Sequence, residues 1–548
     1  MCNLAMPSQP VEVSGGLEAH SLKVKKDLEI LAWPGKPWTR THSVPTALPG
    51  TAPGAHIYDA LIVGGGQCGL AVAYGLMRER VTNVLCLDEN KEGAEGPWVT
   101  YARMVTLRTP KHLTGLDFGL ASLTFQAYYE ARFGSDAWAA LDKIPKEMWM
   151  AYLVWYRKVL NIPVRNGVRV ERIEHVGSTP ASDAGSAVVP TLFRVTIRDT
   201  AAGTTSELYA RKVVLATGIQ GGGEWHTPDL IKQSVPAHLY AHTSQVVDLD
   251  ALRGKRIAIL GGGASAFDNA QYALGAGAGE VHVFVRRESL PRVNPIRFME
   301  QAGFLKHFAD LPDATKYAGI DHFLGFNQPP TNDTYNRACA YPNFHLHLGA
   351  NWEALQLTQG GDQVRITTTK GEAEGAFDFL IVSTGLLTDC HLRPELALLA
   401  PHIATWADKF PKEANPGVRR NQLIDDHPYL GPAFEFTEKV AGAAPFLRGL
   451  YAYNYSALPS LGLSASALSG VKFALPKLVT GITRSLFLED SPAIISDYLA
   501  YNEEEFVGVW PPADRATPAA PSTTAAARPC GEVAEAPAAA AGAARVVA

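Results

Sequence analysis

Residues 58–76 read YDALIVGGGQCGLAVAYGL, and residues 81–90 read VTNVLCLDEN. An apolar, β-branched run stops at Val63, three glycines turn the chain, and small and apolar residues continue beyond. The pattern predicts a buried strand, a glycine turn, a helix and a second strand. Gly64, Gly66 and Gly69 form G-x-G-x-x-G at that turn. The first glycine permits a tight turn, the second lets backbone approach a pyrophosphate, and the third lets the helix pack close to the strand. The helix N-terminus, which Gln67 opens, then faces the phosphates. Asp88 closes VLCLD, where a carboxylate can accept hydrogen bonds from both ribose hydroxyls. The alternative for Asp88 is an exposed acid at a strand end.

The same succession returns about 200 residues later as GKRIAILGGGASAFDNAQYAL, residues 254–274, followed by VHVFVRRES, residues 281–289. Gly261, Gly263 and Ser265 lead the second turn, with Ala266 in the place of the third glycine. A small residue there still allows close helix packing, and the Ser265 hydroxyl and amide can bond a phosphate oxygen. Where a unit that prefers NADH carries an acid, this strand ends in Arg286 and Arg287. Guanidinium groups favour the additional phosphate of NADPH, unless the pair only caps an exposed strand.

Two further apolar strands end in Thr-Gly: RKVVLATGIQ at 211–220 and FDFLIVSTGL at 377–386. They read as crossing points between two dinucleotide-binding units. The expected fold is α/β with two Rossmann-like domains, the second inserted in the first. The expected bounds are an N-terminal extension over 1–56, the first domain over 57–235 and 376–511, the inserted domain over 236–375, and a disordered tail over 512–548. That tail is rich in Ala, Pro, Ser and Thr and poor in the large apolar side chains that offset ordering entropy. Within the extension, the stretch around LKVKKDLEILAWP reads as a short amphipathic helix against the body.

At 548 residues the chain has apolar material for more than one core. A formal net charge of −5 gives no strong field to gather nucleic acid or anionic lipid. The six cysteines are scattered, with neither a metal-type pair nor the density of a secreted scaffold, and no metal ligands are expected. No apolar run reaches the roughly 18–20 residues of a membrane span, and no secretory pattern opens the chain. The expectation is a cytoplasmic protein with a small-molecule partner, no nucleic acid and no membrane span; the oligomeric state is open.

Between the two loops lies EGPWVTYARMVTLRTPKHLTGLDFG, residues 95–119. With the paired glycine loops and the Thr-Gly turns, it resembles the FAD-dependent, NADPH-using monooxygenases: the flavin-containing, Baeyer–Villiger and N-hydroxylating enzymes. Gly96, Trp98, Leu107, Thr109 and Pro110 stand where that superfamily carries the segment that covers the flavin. The resemblance spans about residues 57–475. It departs in the linker before the second loop, where His242 is retained but Pro236 and His238 replace a phenylalanine and a glycine, which weakens a Baeyer–Villiger assignment.

The resemblance implies FAD at the first loop and NADPH at the second, so that the NAD(P) domain is inserted in the FAD domain. It also implies O2 as co-substrate, hydride transfer to flavin N5, oxygen addition at C4a and transfer of one oxygen atom to substrate. Trp98 is either a flavin contact or core. Arg108 and Lys111 are each either a cation near the flavin pyrimidine or a solvated surface charge, with Arg108 favoured slightly as the catalytic one. The closing segment, residues 447–479, resembles the family's C-terminal part, with Asn454 about where a Gly-Asp is usual and able to hydrogen-bond a ribityl or phosphate oxygen.

A disulfide reductase would need paired cysteines near the flavin, and Cys68 stands alone. A flavin reductase, an oxidase and a nonenzymatic nucleotide sensor are the remaining alternatives. Region 288–350 is the expected substrate lining, for a polar or heteroaromatic molecule such as an amine or a purine-like ring.

Overall fold

The computed structural model describes residues 10–46, 48–177, 191–248, 250–326, 328–506 and 508. The expected tail at 512–548 lies outside them. The chain divides into a large unit, Met1–Ile495, and a small one, Ser496–Ala548. Within the described part of the small unit, helix continues to Ala500 and no regular element follows. Among the described residues no helix is long and apolar enough to cross a membrane.

The large unit is built on two main sheets. In the first, Val164–Arg165, Val84–Leu87, His56–Val63 and Thr205–Leu215 lie side by side in parallel. Leu192–Asp199 and Val168–Gly177 extend it as an antiparallel meander. The C-terminal strand Leu450–Ala452 joins Thr205–Leu215 in parallel. The Ala60–Val63 end of strand His56–Val63 is apolar on both faces because both are covered, as a parallel sheet with helices packed on it demands. One cover is helix Gln67–Arg78, whose Cys68, Gly69, Ala71 and Ala73 are small enough to press against the sheet.

The second sheet is wholly parallel, in the order Phe344–Leu348, Glu280–Val285, Arg256–Leu260, Phe379–Val382, Tyr240–His242. All its strands fall in sequence between Thr205–Leu215 and Leu450–Ala452 of the first. Its packing moves the expected bounds 236–375 outward at both ends. Ile231 and Val235, on and just after helix Asp229–Ser234, already sit in its core, and strand Phe379–Val382 lies inside the sheet. The turn chemistry at Thr384-Gly385 marks the exit, but the strand before it pairs with Arg256–Leu260 and so belongs to the second sheet.

The expected N-terminal helix forms over Gly16–Ile30 and begins earlier than the stretch that suggested it. Val24 is fully buried and His20 stacks on Trp155 at 5.5 Å, so it packs on the body. Strand His42–Ser43 also joins the first sheet.

Candidate functional site

In both sheets the strand order reverses beside the glycine-loop strand, which leaves a crevice at the carboxyl ends of the strands where ligands of such sheets bind. At the first reversal, Gly64 has φ +105°, and a Cβ there would lie 2.4 Å from the Ala216 carbonyl oxygen. At the second, a Cβ on Gly261 would lie 2.4 Å from the Ser383 carbonyl oxygen. The two Thr-Gly segments thus close against the two loops. A single cleft of about 1720 Å³ joins both reversals.

Gly64, Gly66, Gln67 and Asp88 line one end. Gly69 sits behind them, where a Cβ would come within 1.8 Å of the Gly64 carbonyl oxygen, so only glycine lets the helix start this close to the strand. Asp88 is buried; its carboxylate accepts from the Gly65 amide at 2.8 Å and the Asn90 amide at 2.8 Å. Burial raises its pKa, and those two hydrogen bonds oppose the rise. The Gln67 carbonyl oxygen accepts from the Trp149 indole at 3.1 Å, which pins the side chain at the cleft wall.

Trp98 and Thr109 line the cleft with Arg108. Trp98 is at once core and cleft wall: it is 8% exposed and packs edge-on to Trp149 at 6.3 Å. Arg108 is not a solvated surface charge. Its guanidinium pairs with Asp268, on helix Ala264–Gly275 behind the second glycine loop, and donates to the Gln328 side chain at 3.2 Å. Burial raises the Asp268 pKa, with Arg108 opposing it, and so the pair is a tie across the cleft. Lys111 is spent elsewhere: its ammonium donates to the Trp138 and Leu141 carbonyls at 2.7 and 2.6 Å and does not reach the cleft.

Gly261, Gly263, Ser265, Arg286 and Arg287 line the other end. Helix Ala264–Gly275 starts at the loop, and Ala266 is fully buried against the sheet, the close packing expected of a small residue there. Arg286 is exposed and makes no hydrogen bond or ion pair among the described residues. Arg287 donates to the Gly325 carbonyl at 3.3 Å.

Residues 61–296 match the family described as pyridine nucleotide-disulphide oxidoreductase. Over 488 residues the chain is 52% identical to the FAD-dependent urate hydroxylase of Xanthomonas campestris pv. campestris, covering 89% of this chain and 97% of that relative. The chain belongs to the FAD-dependent monooxygenase superfamily. Among solved structures, the reduced ornithine hydroxylase of Pseudomonas aeruginosa is similar with a TM-score of 0.58 and 17% identity, covering 78% of this chain and all of that one. An ornithine N-hydroxylase from Kutzneria sp. 744, with reduced FAD, NADP+ and L-ornithine, gives 0.58 and 18%, covering 78% and 99%. At such identities these two share the fold.

The residues present in this FAD-dependent monooxygenase fit a bound dinucleotide. A Cβ on Gly66 would meet nothing nearer than 3.8 Å, so the space the second glycine leaves is open. Among the described residues, five buried polar atoms without a hydrogen-bond partner belong to cleft residues: Trp98 Nε1, Gln220 Oε1, His242 Nε2, Asn269 Oδ1 and Ser466 Oγ. Buried polar groups in native proteins are satisfied, so such a concentration points to a polar ligand.

Asn454 is corrected by the flavoprotein's structure. It is 1% exposed and absent from the cleft wall; its Nδ2 donates to Thr217 Oγ1 at 3.1 Å, and its Oδ1 accepts from the Ser456 amide at 2.9 Å. Its work is to fasten the Thr217-Gly218 turn against which Gly64 closes. The sequence reading also missed cleft residues of the enzyme. Arg103 is 6% exposed, donates to the Thr100 and Gln245 carbonyls at 3.2 Å each, and lies over the Tyr272 ring at 5.6 Å. Trp225 stacks on His242 at 5.0 Å in the linker. Burial holds the His242 pKa down to about 4. Arg103 sits inside YARMV, next to the quoted segment's Trp98, but nothing in its spacing separates it from a surface arginine.

Of the expected lining over 288–350, Pro291, Asn294, Ile296, Arg297, Glu300 and Gln328 reach the cleft. The cysteine chemistry of a disulfide reductase is missing among the described residues. Cys68 is buried with its thiol pushed up to about 12, and no second cysteine lines the cleft.

Proposed function

We propose that this chain hydroxylates urate, or a closely related purine, with NADPH and O2, FAD being held at the Gly64 loop and NADPH at the Gly261 loop. The 52% identity to an FAD-dependent urate hydroxylase over nearly the full length of both chains carries the reading. The cleft that joins the two loops, and its lack of paired thiols, support it. On this reading the second sheet is the core of an NAD(P) domain inserted in the FAD domain.

FAD supplies hydride acceptance and oxygen activation; the chain supplies position, polarity and dryness. The helix starting at Gln67 presents its amide end to the FAD pyrophosphate, and Asp88 stands by the adenosine ribose. Trp98 and Thr109 wall the ring, and the Arg108–Asp268 tie keeps the NADPH-side helix close to it. Urate is planar and anionic near neutral pH, with alternating donors and acceptors at its rim. Arg297, Asn294 and Gln328 supply the matching guanidinium and carboxamides from the region between the loops. One atom of O2 enters the purine and the other leaves as water with the electrons of NADPH. The four described cysteines are free, in keeping with a reducing compartment, and we place the reaction in the cytoplasm.

The test measures NADPH oxidation, O2 uptake and hydrogen peroxide together on the FAD-loaded enzyme, with and without urate. Urate-dependent consumption of NADPH and O2 in equal amounts, with little peroxide, is expected. Peroxide matching the NADPH consumed with urate present would make the protein an oxidase instead.

A further inference from the structure

Away from the cleft, the second sheet carries four metal-capable side chains on neighbouring strands. Glu280 and His282 stand two residues apart on Glu280–Val285, and His345 and His347 two apart on Phe344–Leu348. Side chains two apart on a strand share a face. The parallel register sets His282 directly opposite His345 and Phe284 opposite His347. None of the four lines the cofactor cleft. This face would ordinarily carry Val or Ile; that it carries three imidazoles and a carboxylate asks for a reason.

One carboxylate oxygen of Glu280 and one ring nitrogen each of His282 and His345 lie within 4.8 Å of one another. Bonds of about 2.0–2.2 Å to a tetrahedral ion set ligand atoms roughly 3.5 Å apart, so the set is little more than about 1 Å from closing. Glu280 Oε2 accepts from Arg256 Nε at 2.6 Å and faces His282 Nε2 at 3.2 Å; its other oxygen has no partner among the described residues. His282 Nδ1 meets His347 Nε2 at 2.9 Å. That contact is the outer hydrogen bond by which a ligating histidine is oriented, leaving Nε2 for the ion. The His345 ring lies over that of His282 at 4.3 Å and must turn its edge inward, which its partial exposure on an edge strand allows.

We propose that Glu280, His282 and His345 form a binding site for a divalent cation of the zinc class, with His347 orienting His282 and water in the fourth position. Imidazole and carboxylate in this ratio suit zinc over calcium or magnesium. The Arg256 guanidinium on Glu280 opposes a further positive charge and lowers the affinity. The ion ties the edge strand to its neighbour and takes no part in electron transfer.

FAD-loaded enzyme is stripped with a chelator and dialysed against low-micromolar free Zn2+. One zinc per chain is expected, with affinity at least tenfold weaker in His345→Gln and in Glu280→Gln. Both positions are partly exposed, and retained flavin absorbance checks that the variants fold. Zinc should also raise the thermal midpoint of the parent enzyme and leave that of His345→Gln unmoved. Cys339→Ser, which removes the exposed thiol, should bind as the parent does. Absence of stoichiometric zinc would overturn the site, as would binding that survives both ligand substitutions or disappears in Cys339→Ser. Glu280, His282 and His347 would then be a hydrogen-bonded chain without an ion, with His345 stacked on it.

Discussion

Gly66 and Gly69 are separated by two residues and do different work, and the difference is measurable. A Cβ on Gly69 would strike the Gly64 carbonyl at 1.8 Å, whereas one on Gly66 would meet nothing within 3.8 Å. Gly66 also has extended backbone, φ −72° and ψ −172°, which any residue adopts. Gly66→Val should therefore fold with a thermal midpoint close to that of the cofactor-free parent but purify colourless, because its side chain fills the pyrophosphate's space. Gly69→Val should lose both flavin and stability. Flavin absorbance and far-ultraviolet circular dichroism on the two variants separate these outcomes; full FAD occupancy in Gly66→Val would refute the loop's assignment. The glycine spacing alone named both residues. Asn454 shows the limit of resemblance: it stands about where the family carries a Gly-Asp, and its contacts with Thr217 and Ser456 show a brace.

At the scale of elements, the turn that leaves the second strand of the second sheet bears on nucleotide choice. Arg286 and Arg287 follow the strand Glu280–Val285 in a bend, outside the alternation of the strand. Both line the cleft, but Arg287 is already tied to the Gly325 carbonyl while Arg286 is unpaired among the described residues. A charge-assisted bond to a 2′-phosphate is worth about 1.5–3 kcal/mol, so Arg286→Ala should weaken NADPH roughly tenfold or more, Arg287→Ala less, and NADH hardly at all. Rapid-mixing flavin reduction with each nucleotide gives the ratio. A parent enzyme reduced equally well by NADH would remove the basis of NADPH preference. Other element contacts had no signature in the chain. Arg211 and Lys212, in the middle of strand Thr205–Leu215, are fully buried and pair with Glu489 and Asp490 on the C-terminal helix. A charged dipeptide in a strand pattern reads as solvent-facing until a distant acidic pair is brought over it.

For the whole molecule, buried histidines are expected to contribute to the loss of stability in acid. Burial holds His242 and His427 each down to about 4. The unfolded chain takes up these protons near pH 6.5 and the folded chain does not until about pH 4. Their contribution is thus complete above pH ~6.5 and is lost as the pH falls toward 4. The thermal midpoint should drop between pH 7.5 and pH 5, and His427→Leu should show a smaller drop across that interval, whatever its midpoint at pH 7.5. An unchanged drop would show that carboxylates govern the acid limb. What the sequence determined by itself was local: two glycine turns, their flanking strands and helices, and the flavin-type segment between them. Each depends on residues within a few positions of one another, where backbone sterics and periodicity act directly. The tertiary structure decided what depends on residues far apart in the chain. It paired Arg108 with Asp268, extended the second sheet through Phe379–Val382, and set His282 opposite His345. Pairing and burial of this kind arise from the packing of whole layers, and no window of sequence contains them.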